Sequence, residues 1–577
     1  MERAGMKPGV DSGVWIERAG LFALLLIGLW LLASVWWVRI ELGDGYVTAV
    51  NARYLLGLAE EYVWYRAPLP ALILVPAAWL ADRLALGPLD MRPYHAVMLV
   101  VHLGCLLWMW RWMSVYCRDR VAALLAYLAA LPCVFFFSYA PFISHDIAPG
   151  FLLLAMLIGV DRYARDGRLR TLALLALLGA MAATVKQTYA LFWLLVLVAH
   201  ATVIASERCW REGVTLVHLA GAALLSGVLS FFAYASVLQS VYPEAGFLER
   251  PFLQAWSIAD NISRATGAEG FYYPWVYLRN FWVFGILAMV LVLPGLIGAW
   301  RAPGRIGRMV AVSWTVALIV MCLNPLKELR YLGFLMPLTA ILVYHALVEL
   351  RTRLPRLVWL PPLVLVVDLS LAGVEAQRIV HPYYRSGHTE FFAGSETAIE
   401  QGRRVTLAGL LNFVSPDRHA FFGDRYHRIT HLMGWSIAGL YGLDQAHFRP
   451  LYDLAQLNAM DFQPGEILLY SNELIARVMP IRSDNGTSMS RQYLQFAGVA
   501  EPVGAVPEGD HYRFLADPAQ RVLLTSDGQP LLISDGRVER SLLPVDPLAD
   551  GSMPSISLMT FRITALCDPA GCRRTSD

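Results

Sequence analysis

Gly20-Leu21-Phe22-Ala23-Leu24-Leu25-Leu26-Ile27-Gly28-Leu29-Trp30-Leu31-Leu32-Ala33-Ser34-Val35-Trp36-Trp37-Val38 runs without a charged residue, and Glu41-Leu42-Gly43-Asp44-Gly45-Tyr46 follows it. An apolar run of this length crosses a bilayer as a helix, since about 20 residues cover the hydrocarbon core. Asp44 then stands where the span leaves the membrane. A carboxylate there is a candidate for chemistry on a lipid-borne substrate.

The rest of the chain repeats the pattern. Of its 577 residues, 57% are hydrophobic, against about 45–50% in soluble domains. Apolar runs recur near 20–38, 93–113, 121–138, 147–161, 170–185, 189–206, 214–237, 280–300, 308–323, 331–349 and 356–374. This predicts a polytopic α-helical membrane protein of about 11 spans, because in lipid only helices or closed barrels satisfy the backbone. The net charge of +2 says little, since membrane proteins place charge loop by loop.

Arginine orients the spans. Arg111/Arg118/Arg120, Arg162/Arg165/Arg168/Arg170, Arg208/Arg211, Arg301/Arg305/Arg308 and Arg351/Arg353/Arg356 fall in alternate connections. The positive-inside rule makes these cytoplasmic, together with the N-terminus and its Arg3, Lys7 and Arg18. Leu69–Leu80 would break that parity if it crossed, so it is expected as an interfacial or re-entrant helix in one long external loop, 39–91. Residues 1–375 then form a membrane domain. Residues 376–577 are more polar and carry short alternating runs (465–470, 521–525, 530–534) that read as strands ending in turns. A soluble mixed α/β domain on the external face is expected there.

Five of the seven cysteines lie in or beside apolar runs. Cys567 and Cys572, near the end of the chain, could form a disulfide if the tail is outside the cytoplasm. Lysine is rare: only Lys7, Lys186 and Lys327 occur.

Asp44, Arg66, His145, Asp146, Lys186, Lys327, Glu328 and Arg330 all fall at external span ends. Any one of them can simply snorkel or cap its helix, and His145 is read first as a cap. Both signs converging on one face suit a substrate that carries phosphate and needs proton transfer. Aromatic residues of the long loops, among them Tyr62, Trp64, Tyr65, Tyr272 and Trp275, fit an interfacial belt or a groove for an isoprenoid chain or sugar ring.

Gly43-Asp44-Gly45-Tyr46-Val47-Thr48, with Ala52-Arg53-Tyr54-Leu55-Leu56-Gly57 after it, resembles the first external loop of the GT-C glycosyltransferases. Tyr65-Arg66-Ala67-Pro68-Leu69, Ser144-His145-Asp146-Ile147-Ala148-Pro149, Thr184-Val185-Lys186-Gln187 and Arg330-Tyr331 through Pro337 resemble further elements of that superfamily in the same order. The similarity spans about residues 15–350 and points to the protein mannosyltransferase, aminoarabinose transferase and arabinofuranosyltransferase types.

The resemblance implies a polyprenyl-phosphate-linked sugar as donor. It implies a cell-envelope glycan, lipid or protein as acceptor, at the external face of a bacterial inner membrane. Asp44 would be the general base, with Asp146 the second catalytic carboxylate. Arg66, Lys186 and Arg330 would hold the donor phosphate. Tyr46, Tyr331, His145, Lys327 and Glu328 are further site candidates. The residue types also permit a divalent metal on Asp44, His145 and Asp146, and no nucleic-acid partner is expected.

Other classes stay open at this point. A transporter or flippase of lipid-linked sugars usually carries inverted repeats and mid-membrane charges, whereas here the charges sit on one face. A polysaccharide polymerase or ligase would place Arg and His in a large late loop. A plain anchor needs far fewer spans.

Overall fold

The computed structural model describes residues 10–37, 43–59, 62–63, 66–86, 90–131, 142–209, 212–256, 284–323, 329–357 and 359–385, and nine strands between 405 and 574. Among these the side chains of Asp44, Arg330 and the strands lie outside the described set.

The chain is mostly helical up to Arg385. In order come α1 (Val10–Trp37), α2 (Gly43–Leu55), α3 (Pro68–Arg83), α4 (Arg92–Tyr116), α5 (Arg120–Ala130), α6 (Ala148–Asp166), α7 (Leu169–Val185), α8 (Phe192–Glu207), α9 (Gly213–Val237), α10 (Ile286–Arg301), α11 (Arg305–Leu323), α12 (Met336–Arg353) and α13 (Leu360–Arg385). Each apolar run of the sequence overlaps one of these helices; residues 132–138 and 280–283 of two runs lie outside the described residues. Six stretches among the described residues are long and apolar enough to cross a membrane: Arg92–Tyr116, Gln187–Glu207, Gly213–Val237, Arg305–Leu323, Tyr331–Arg353 and Pro355–Gly373. Shorter apolar helices cover Leu21–Trp36, Arg120–Ala130, Leu169–Val185 and Ile286–Arg301.

Residues 69–80 belong to α3, a 16-residue helix with Pro68 at its first position and Pro76 inside it. α13 outlasts its apolar run because Val374-Glu375-Ala376-Gln377 holds no helix breaker.

Two compact units divide the chain. One comprises Met1–Val35, Tyr62–Pro76 and Tyr94–Gln377; the other comprises Trp36–Glu61, Ala77–Pro93 and Arg378–Asp577.

In the first unit, packing is set by small residues. Gly295 and Gly298 of α10 lie on the backbone of Leu342 and His345 in α12, where a Cβ at Gly295 would come within 2.6 Å of Leu342 C. Glycine at such a contact lets two helix backbones approach directly, as membrane helices commonly do. Ion pairs close one end of the bundle. Arg305, at the start of α11, bonds Glu207 at 2.8 Å and Glu212 at 2.7 Å in the α8–α9 turn, and Arg308 reaches Glu207 at 3.1 Å. The Arg305 hydrogen bond holds the Glu212 carboxyl below its ordinary value. Arg351 pairs at the same end with Asp119, which also caps α5 through the N–H groups of Val121 and Ala122.

α10 starts at Gly285, whose φ of 92° favours glycine. Its first N–H groups would be orphaned. The buried carboxylate of Asp368, on α13, accepts from Ile286 N at 2.7 Å and Leu287 N at 2.8 Å. Asp368→Ala strands both donors, and a buried unsatisfied group costs about 1–3 kcal/mol. A lower melting temperature in detergent is expected, with Asp368→Asn intermediate because it still offers one acceptor.

In the second unit, α2 buries Tyr46, Val47, Ala49, Val50, Asn51 and Ala52. It ends in a Schellman turn: Leu58 N bonds Arg53 O and Gly57 N bonds Tyr54 O, with Gly57 at φ 73°. This helix begins at Gly43, so Asp44 stands inside its first turn.

The strands β1 (Val405–Ala408), β2 (Phe448–Leu451), β3 (Ile467–Ser471), β4 (Leu494–Pro502), β5 (Arg521–Leu524), β6 (Pro530–Ser534), β7 (Arg537–Ser541), β8 (Leu558–Asp568) and β9 (Gly571–Arg574) form one mixed sheet. Its order is β2-β1-β3-β8-β4-β5-β6-β7, with β9 also on β8. β1 pairs with β2 and β3 in parallel, and the remaining pairs are antiparallel. The runs expected as strands at 465–470, 521–525 and 530–534 fall on β3, β5 and β6.

Candidate functional site

α6 and α7 run antiparallel, and their connection, Gly167-Arg168, is short. The start of α6 and the end of α7 therefore share one end of the bundle, opposite the Arg-rich connections. Ser144-His145-Asp146 precedes α6, where Pro149 occupies the first turn and Asp146 N–H donates to Ser144 Oγ at 3.3 Å. Lys186 terminates α7 in an extended conformation (φ −161°, ψ 131°), after which Gln187–Leu191 forms a 3-10 turn leading into α8. An anion is favoured near a helix N-terminus and a cation at a C-terminus, so both dipoles support the charges beside them.

These two charges meet. Lys186 Nζ lies 2.9 Å from Asp146 Oδ1, with side-chain exposures of 24% and 5%. Tyr189 Oη donates to the same oxygen at 2.9 Å. Tyr331 lies under the ammonium, 3.9 Å from Nζ to ring centroid, well within the roughly 6 Å range of a cation–π contact. Phe192 and Phe334 pack on Tyr189 with ring centroids 4.9 and 5.9 Å away.

The turn Leu329–Leu335 presents Tyr331 by lying against the first turn of α6. A Cβ at Gly150 would fall 2.8 Å from Phe334 C and closer still to its oxygen. Neither backbone can yield. Gly150→Ala is expected to push this turn off α6 and cost about 1–3 kcal/mol through overpacking. A lower melting temperature in detergent is the expected readout. Gly159→Ala is the control, since its Cβ meets only the flexible end of Leu175.

Arg66 belongs to the same unit and is half-buried. Tyr62 Oη bonds Arg66 O at 3.2 Å, and the next residue, Ala67, packs on Tyr234 and Leu238 of the α9 end. Tyr234 Oη in turn bonds Ala183 O at 3.0 Å, one turn before Lys186. The chain at Arg66 is thereby tied to the helix end that carries Lys186.

Of the residues singled out in the sequence, Asp146, Lys186 and Tyr331 are brought together. His145 adjoins Asp146 in the chain and is partly buried. Arg330 lies in the Leu329–Leu335 turn, while Lys327 and Glu328 lie outside the described residues. Asp44 and Tyr46 lie on α2 in the second unit, with Tyr46 fully buried.

Tyr189 is an addition to the expected set. It follows Lys186 by three residues, a helix-turn spacing that could have marked it, but it reads equally well as an aromatic at a span end. Asp146 shares one oxygen between an ammonium and a phenol, and no group of three or more His, Cys, Asp or Glu among the described residues is placed to hold a metal ion.

No family model matches the chain, and no curated protein matches it in sequence. Among solved structures, ArnT from Cupriavidus metallidurans bound to undecaprenyl phosphate aligns with a TM-score of 0.52 at 14% identity, covering 82% of this chain and 96% of that one. ArnT from the same organism in the apo state gives 0.46 at 15% identity, over 76% and 77% of the two chains. The chain shares the fold of this undecaprenyl-phosphate-bound ArnT structure.

Proposed function

We propose that this ArnT-like membrane protein is a glycosyltransferase that moves a sugar from a polyprenyl-phosphate donor to an acceptor hydroxyl at the external membrane face. Two lines support the reading: a fold shared with a protein that binds undecaprenyl phosphate, and the ordered Lys186 ammonium at the end of α7. The second carries it. A lysine among apolar spans is costly, and intramembrane ionisable residues are functional-site candidates by default. Lys186 is exposed enough to be reached and is fixed by Asp146 and the Tyr331 ring.

In the proposed reaction the acceptor oxygen attacks the anomeric carbon and the bond from that carbon to the donor phosphate breaks, with inversion. Asp44 takes the hydroxyl proton, and polyprenyl phosphate leaves with the electron pair. Lys186, Arg66 and Arg330 stabilise that anion, lysine as a point charge and arginine through paired donors. Asp146 and Tyr189 position Lys186. No step is routed through a metal.

The eleven apolar runs are proposed as spans, with the N-terminus cytoplasmic. Residues 1–375 form the catalytic domain, and residues 376–577 form an external mixed α/β domain. The bilayer in this reading is the bacterial inner membrane. Profiling glycans and envelope lipids of cells carrying wild type or Asp44→Asn tests the activity. Purified protein that carries lipid-linked sugar across vesicles without transferring it would make the protein a transporter.

A further inference from the structure

We propose that Cys567 and Cys572 form an intrachain disulfide that fastens β9 to β8. The inference goes beyond sugar transfer and uses only one part of the proposed function, the external placement of the C-terminal part.

The backbone register carries it. β8 and β9 are antiparallel, with Leu566 opposite Arg573, Cys567 opposite Cys572 and Asp568 opposite Gly571. Two residues, Pro569 and Ala570, connect the strands. In a hairpin with a two-residue connection the flanking pair is hydrogen-bonded, and the next pair is the non-hydrogen-bonded kind. Cys567 and Cys572 occupy that next pair. Its Cα atoms lie about 4.5 Å apart, inside the roughly 4.4–6.8 Å span that a disulfide requires. Directly opposed residues also share one face of the sheet.

Position in the sheet gives the bond a purpose. β8 is paired by β3 over Leu558–Arg562 and by β4 over Phe561–Leu566. Because β4 holds one side, β9 takes the side of β3, beyond the end of that strand, over Ala565–Asp568. β9 is four residues long, and among the described residues it pairs with β8 alone, through four residue pairs. A covalent cross-link keeps this short strand from fraying away from β8.

Closing the bond removes one hydrogen from each thiol. The electron pair and two protons pass to a disulfide-bearing donor protein, whose own disulfide becomes a dithiol. Such donors act outside the cytoplasm, whereas cytosolic thiols are kept reduced. Cys105, Cys117, Cys209 and Cys322 are free thiols.

Full-length protein in membranes tests this. Cells are quenched and denatured with light N-ethylmaleimide, then reduced and treated with the heavy form. Trypsin cuts after Arg562 and Arg573, so both cysteines fall in the single peptide Ile563–Arg573. The expected result is heavy label on both. Without reduction, the same peptide should appear two hydrogens lighter than its dithiol.

Light label on both overturns the proposal, and so does heavy label on Cys567 in a Cys572→Ser variant, which would reveal a different partner. After a light-label result, purified protein treated with oxidised glutathione identifies the fault. Closure would fault the external placement, and failure to close would fault the pairing itself. Neither outcome bears on whether the membrane part transfers sugar.

Discussion

Under the proposed function, Asp44→Asn is expected to lower sugar transfer by about 10²–10⁴-fold, the range that general-base assistance supplies, while the protein still inserts and melts as wild type does. The change removes a proton acceptor and keeps the shape of the side chain. Asp44 stands in the first turn of α2, where the helix dipole favours an anion. Glycines flank it at 43 and 45, which leaves room for an acceptor to approach. Total transfer in cells or proteoliposomes reads the outcome. Transfer at wild-type rate by a well-folded Asp44→Asn variant ends the base assignment.

Lys186→Met is the second large effect. The loss of one preorganised donor to a developing anion costs about 10²–10³ in rate, and the weakened hold on phosphate appears in donor affinity as well. The substitution also strands the buried Asp146 carboxylate, and removing one partner of a buried pair costs about 3–5 kcal/mol. A fall in activity alone is therefore ambiguous. The double variant Lys186→Met/Asp146→Asn removes both charges and should recover most of the lost thermal stability without recovering transfer. Tyr189→Phe keeps the ring packing and removes one hydrogen bond to Asp146, so its effect should be small on stability and confined to the alignment of Lys186. Recovery of transfer in the double variant would make the pair a structural strut.

The mostly helical, apolar build was legible because apolar run length is a property of short windows. Asp146 and Lys186 were legible for the same reason: each interrupts an apolar stretch at its edge. Their contact was not, because it depends on α6 and α7 being antiparallel neighbours, 40 residues apart in sequence. Tyr189 was missed since an aromatic at a span end is ordinary. Asp368 was missed although a lone carboxylate inside an apolar run is itself a signal; it serves the start of α10, a helix more than 80 residues earlier. The Gly150 contact belongs to tertiary packing, and the sequence offers only a glycine beside a proline.

The central claim is that Lys186 helps hold a polyprenyl phosphate. Its most direct measurement is native mass spectrometry of purified protein titrated with undecaprenyl phosphate, comparing wild type, Asp44→Asn and the charge-balanced Lys186→Met/Asp146→Asn variant. The account predicts binding by wild type and by Asp44→Asn with similar affinity, and binding weaker by about tenfold or more in the double variant, the order expected for one charged hydrogen bond. No binding by wild type, or equal binding by the folded double variant, would contradict it.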